Sequence, residues 1–128
     1  MEKKWVVAVF ENDALNRFIY QRMLNLQSEV VTAYIFENPE AGVELAQSVK
    51  FDLAFIDLHL RGELFGGVSL ATQLQSLVKD IRLVAMTTLI QETDREQSQK
   101  VGFVALLEKP VPFYNFPQLM ADIEGKLK

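Results

Sequence analysis

Five alternations of strand-like and helix-like patterning predict an α/β protein: a doubly wound, five-stranded parallel sheet with five helices on two faces. Two observations carry this expectation. Short apolar runs such as Trp5–Phe10 and Leu53–Ile56 lack polar alternation, as strands covered on both faces do. Between such runs, apolar residues recur every three to four positions, the period of a helix with one buried stripe.

The elements follow in order. Trp5–Phe10 is the first strand, and Asp13 caps a helix striped by Leu15, Phe18, Ile19, Met23 and Leu26. Val30–Phe36 is rich in β-branched and aromatic residues and reads as the second strand. Asn38-Pro39 combines a capping residue with proline in the first turn, starting a helix that runs to about Val49. Leu53–Asp57 is the third strand, followed by a loop broken by Gly62, Gly66 and Gly67 and by a helix striped by Val68, Ala71, Leu74 and Val78. Ile81–Met86 is the fourth strand. The next helix, Glu92–Lys100, is polar on almost every side and ends at Gly102. Phe103–Leu107 is the fifth strand, and Pro117 opens a last helix carrying Leu119, Met120, Ile123 and Leu127.

The chain of 128 residues is expected to form one domain over residues 1–128, with no room for a second. Its hydrophobic content of 49% supports a core without covalent staples. With no cysteine, disulfides, thiolate metal sites and thiol catalysis are excluded. A net charge of −4 disfavours a general nucleic-acid surface. Lys3-Lys4 precedes an apolar run, but six residues are too few for a secretory core, and no run approaches the roughly 20 needed for a membrane span. A cytoplasmic protein with no direct nucleic-acid or membrane partner is expected.

Chemically active residues stand at the strand ends: Glu11-Asn12-Asp13 after the first, Asp57 closing the third, Thr87 after the fourth and Lys109-Pro110 after the fifth. Open parallel sheets bind ligands at the carboxyl ends of their strands. Acids, a hydroxyl and a lysine there are the equipment of a metal-assisted phosphoryl acceptor. Charge on three phosphoryl oxygens has to be offset by a cation, a lysine and hydroxyl donors.

Four blocks, Phe10–Asn16, Phe51–Leu58, Val84–Thr88 and Leu107–Pro110, make the whole chain resemble the receiver domain of two-component response regulators, of the chemotaxis type. The resemblance implies a flavodoxin-like sheet in the order 2-1-3-4-5, an order that periodicity does not supply. It implies Asp57 as phosphoacceptor, with Thr87 and Lys109 holding the phosphoryl oxygens. It also implies Mg²⁺ held by Glu11, Asn12, Asp57 and the backbone carbonyl of His59, and a cis Lys109–Pro110 bond. The phosphodonor would be a histidine kinase or a histidine phosphotransfer protein; the downstream protein target is unknown. The protein would not itself be an enzyme. His59, the sole histidine, is expected to turn its ring to solvent at the mouth of the site.

Three departures from the family pattern stand out. Asn12 replaces the usual aspartate, keeping an oxygen but losing a charge, so weak Mg²⁺ binding is expected. Leu106 stands where an aromatic residue commonly switches rotamer, and Arg61 lies in a loop that often carries proline. Phe113, Tyr114 and Phe116 border the surface that such a switch would remodel, and packing against the sheet is their expected role. These features set an alternative beside phosphoacceptance: a pseudo-receiver acting as a phosphorylation-independent interaction module. A haloacid-dehalogenase-type phosphatase fits poorly, because its nucleophile follows the first strand with a second aspartate two residues on. Flavin binding fits poorly because Glu11-Asn12-Asp13 would repel a phosphate after the first strand.

Overall fold

A computed structural model describes residues 4–60 and 66–125. The strands are β1 (Trp5–Phe10), β2 (Val31–Phe36), β3 (Leu53–Asp57), β4 (Arg82–Thr87) and β5 (Ala105–Glu108). The helices are α1 (Ala14–Asn25), α2 (Pro39–Ala46), α3 (Gly66–Leu77), α4 (Glu92–Val101) and α5 (Phe116–Gly125). All four strand pairings are parallel and the sheet order is β2-β1-β3-β4-β5, as the resemblance implied. Arg61 and Gly62, and Leu127 at the other end, lie outside the described residues.

The apolar runs pack in the alternating way a two-sided sheet requires. Val7, Val9, Phe55, Val84 and Met86 face one layer with Tyr20, Leu24, Phe113, Phe116 and Ile123. Ala8, Phe10, Ala54, Ile56 and Leu83 face the other with Leu70, Ala71 and Leu74. The caps read from sequence form: Asp13 accepts from the Leu15 and Asn16 amides, Asn38 accepts from the Ala41 amide, and Pro39 occupies the first turn of α2. Gly102 ends α4 at φ 98°, where a side chain would be strained.

Several expectations need correction. In α1 the buried residues are Tyr20 and Leu24, with Ile19 and Met23 partly buried, while Leu15, Phe18 and Leu26 are exposed. The helix is turned so that the Tyr20 hydroxyl accepts from the Val111 amide at 3.3 Å, and Arg22 covers the exposed Phe18 ring at 5.7 Å. Gly66 and Gly67 do not break the loop; they form the first turn of α3. There the lack of a side chain lets the helix sit against the acceptor strand, since a Cβ on Gly67 would fall 2.4 Å from the Asp57 carbonyl oxygen. β5 begins two residues later than expected, and α2 ends at Ala46. Phe113 and Phe116 are wholly buried, as expected of packing against the sheet, whereas Tyr114 is exposed. The Gln27 side chain, which no sequence pattern marked, ties α1 to the start of α5 through the Phe113 carbonyl and the Phe116 amide.

Candidate functional site

The strand register assembles the site. Phe10 pairs with Ile56, so Glu11 and Asp57 emerge side by side from β1 and β3. Asp57 pairs with Met86, which places Thr87 one residue further along β4, and Thr87 pairs with Glu108, which precedes Lys109. The Lys109 amide donates to the Thr87 carbonyl at 2.8 Å, and the Lys109–Pro110 bond is cis, as the resemblance implied.

At the centre is one ammonium between two carboxylates. Lys109 Nζ lies 2.8 Å from Asp57 Oδ2, and 2.9 and 3.2 Å from the two Glu11 carboxylate oxygens. Glu11 is fully buried, Asp57 and Thr87 are nearly so, and the Lys109 side chain is 11% exposed. Burial alone would lower the pKa of the ammonium, but its hydrogen bonds to Asp57 and Glu11 outweigh that and raise it above 10.5. The remaining acceptors are also served. The His59 amide donates to Asp57 Oδ1 at 2.9 Å, and the Asp13 amide donates to Glu11 Oε2 at 3.1 Å. Asp57 is therefore held at both oxygens, with its carboxylate orientation fixed before any ligand arrives. Arg17 adds a donor to the Glu11 carbonyl, fixing the turn after β1.

Of the residues named from sequence, Glu11, Asp57 and Lys109 are in direct contact, and Thr87 and His59 adjoin them. Asn12 stands beside Glu11 with an exposed side chain. The neighbouring Thr88 is exposed, whereas Thr87 is buried. The His59 ring departs from expectation: it is only about a third exposed, with Nε2 3.8 Å from Asp94 Oδ1 on α4. Asp94 is a buried acid that the sequence reading passed over. Its place three residues after Gln91 was the available signal, since its carboxylate accepts from the Gln91 amide at 2.9 Å and so caps α4.

Among the described residues no group of three or more His, Cys, Asp and Glu side chains is placed to hold a metal. The donor chemistry nevertheless fits a hard cation. Glu11, Asp57, the Asn12 amide oxygen and the His59 carbonyl are all oxygen donors, and the single Lys109 charge leaves the two carboxylates one unit in excess. Leu106 is half-buried and lines a hollow between α4 and β5 with Arg95, Ser98 and Phe103. No helix among the described residues is long and apolar enough to cross a membrane.

Comparison with known proteins bears on the whole arrangement. A family model described as the response regulator receiver domain matches residues 7–123. A response regulator protein from Burkholderia pseudomallei, whose structure holds a phosphorylated aspartic acid, a calcium ion and citrate, superposes with a TM-score of 0.75 at 23% identity. That alignment covers 94% of this chain and 66% of the other, so the chain spans just under two thirds of that protein's length. A CheY-like receiver domain from Methanospirillum hungatei gives 0.75 at 20% identity, covering 98% of this chain and 94% of the other. An orphan response regulator of H. pylori gives 0.73 at 16% identity over the full length of both chains. At these identities the likenesses establish the fold. No curated protein sequence matches the chain.

Proposed function

The chain belongs to the response regulator receiver domain family, a phosphoacceptor family, and from that premise we propose that it takes a phosphoryl group onto Asp57. The observation that carries the reading is the clamp on that carboxylate: Lys109 on Oδ2 and the His59 amide on Oδ1, at the carboxyl end of the central strand. The donor is the phosphohistidine of a histidine kinase or a histidine phosphotransfer protein, acting in the cytoplasm. An Asp57 oxygen forms the new P–O bond as the P–N bond breaks, and the departing imidazole keeps that electron pair. The protein is the acceptor in this transfer rather than an enzyme turning over a free substrate.

Receiver domains typically bind a divalent metal, and an all-oxygen donor set of this kind would suit Mg²⁺. Glu11, Asp57, the Asn12 amide and the His59 carbonyl would hold it, and when bound it supplies positive charge to the incoming phosphoryl oxygens. Lys109 would neutralise a further phosphoryl oxygen, and Thr87 would donate its hydroxyl. Glu11 keeps Lys109 aimed at Asp57 by binding the same ammonium.

Asn12 supports a second reading, a phosphorylation-independent interaction module, because a neutral amide weakens a hard-cation site. One experiment separates the two. The intact chain and its Asp57→Asn and Asn12→Asp variants are incubated with acetyl phosphate over a Mg²⁺ titration, and their masses are measured. One phosphoryl adduct is expected, lost in Asp57→Asn and reached at about tenfold lower Mg²⁺ in Asn12→Asp. An unmodified native chain at saturating Mg²⁺ would establish the second reading, and an adduct surviving in Asp57→Asn would remove Asp57 from its role.

A further inference from the structure

Helix α4 is anchored in an unusual way. Its buried residues are Asp94 and Ser98, both polar, one turn apart on the inward face. A buried carboxylate costs stability unless it is paired and hydrogen-bonded. One oxygen of Asp94 accepts from the Gln91 amide, while the other faces His59 Nε2 at 3.8 Å. The Asp94 carbonyl accepts from the Ser98 hydroxyl at 2.7 Å, so both inward-facing residues belong to one polar unit. The other end of the helix is held by Gln75 of α3, which donates to the Val101 carbonyl at 2.8 Å. The one apolar side chain of α4, Val101, is only partly buried against the core, whereas Tyr20 in α1 and Ile123 in α5 are wholly buried.

On the other side of that contact stands the residue that touches the acceptor. The His59 backbone N–H holds Asp57 Oδ1, and its imidazole is the part that meets Asp94. Asp57, His59 and Asp94 therefore form a continuous polar path from the acceptor to a helix whose fully buried side chains are both polar. Leu106, an aliphatic residue on β5, has no polar atom with which to make such a link.

We propose that Asp94 is a positioning residue for the acceptor. It holds the His59 ring against α4 and so fixes the His59 amide on Asp57, and the same contact makes α4 sensitive to the state of Asp57. This rests on Asp57 being the phosphoacceptor. Two variants isolate the link. Asp94→Asn keeps a side-chain oxygen to accept from the Gln91 amide and replaces the charged oxygen facing His59 with a neutral NH2 group. His59→Gln keeps the backbone N–H on Asp57 and removes the ring.

Phosphorylation of the intact chain by acetyl phosphate in saturating Mg²⁺ is followed over a range of phosphodonor concentrations, and amide exchange of α4 is measured without phosphodonor. Each single variant is expected to lower the maximal rate at least threefold while leaving the half-saturating phosphodonor concentration unchanged. The double variant should be no slower than either single one. Exchange at Glu92–Asp94 should quicken at least threefold in His59→Gln, a change that the loss of a remote solvent-facing ring would not produce. Native-like rates and exchange in both single variants would overturn the proposal, as would losses that multiply in the double variant. A native chain that takes no phosphoryl group would instead overturn the assignment of Asp57, and the exchange measurement would still decide whether His59 anchors α4.

Discussion

Replacing Lys109 with methionine tests the electrostatic centre of the site. The ammonium lies 2.9 Å from a Glu11 oxygen and 2.8 Å from an Asp57 oxygen, so without it two nearly dry carboxylates face each other uncompensated. Those distances keep the nearest oxygens of the two carboxylates within about 6 Å, where like charges repel by about 3 kcal/mol at an effective dielectric constant of 20. Removing one partner from a buried ion pair commonly costs about 3–5 kcal/mol, in line with that figure. For a domain of this size the melting temperature should fall by about 12–20 °C. Methionine matches the length and apolar stem of lysine, so lost packing contributes little. The assay is equilibrium urea unfolding of the native chain, Lys109→Met, Asp57→Asn and the double variant. Asp57→Asn removes one of the facing charges, so Lys109→Met should cost about 1–3 kcal/mol less in that background, a coupling expected of residues in contact. Additivity within about 0.5 kcal/mol would refute the reasoning, because it would mean that Lys109 does not offset repulsion between Glu11 and Asp57.

Two further outcomes follow from the structure. Gly67→Ala should cost about 1–3 kcal/mol, because its Cβ would meet the Asp57 carbonyl oxygen at 2.4 Å and Ile56 Cγ2 at 2.8 Å. Gly125→Ala, with nothing within 4 Å of the added carbon, serves as the neutral control, and equal urea midpoints for the two would contradict the close approach. Stability should also fall under alkaline conditions. Lys109 has a raised folded pKa, so its contribution is complete below 10.5 and lost as pH rises through the folded value. Burial likewise pushes the Tyr20 phenol above 10.0, against the pull of the Val111 amide. The unfolded chain then loses that proton first, and stability again declines as pH rises past 10.0. Tyr20→Phe should start about 1 kcal/mol lower, because the Val111 amide loses its acceptor, and should decline less steeply. A urea midpoint constant from about pH 8 to about pH 11 would refute both assignments.

Much of this protein is written locally in its chain. The strands could be read because burial on both faces demands uninterrupted apolar runs. The first two helix starts could be read because Asp13 and Asn38-Pro39 satisfy orphan amides within a few residues of themselves. The strand-end chemistry could be read because functional groups in an open parallel sheet collect at one edge. Resemblance to a family added the strand order and the cis bond at Lys109–Pro110, neither of which any periodicity encodes.

Only the tertiary structure decided the rest, because it depends on contacts between residues remote in sequence. The apolar residues of α1 fit more than one helical stripe. The choice of Tyr20 and Leu24 over Leu15, Phe18 and Leu26 was made by a phenol reaching Val111 across the core. Gly67 looks like a loop breaker until α3 is laid against the Asp57 backbone, where nothing larger fits. That Lys109 serves two acids rather than one follows from the β1–β3 register, which sets Glu11 beside Asp57. His59 and Asp94 carry no shared motif, being 35 positions apart in the numbering. They meet because α4, with no apolar face of its own, comes to rest where a buried carboxylate finds a partner.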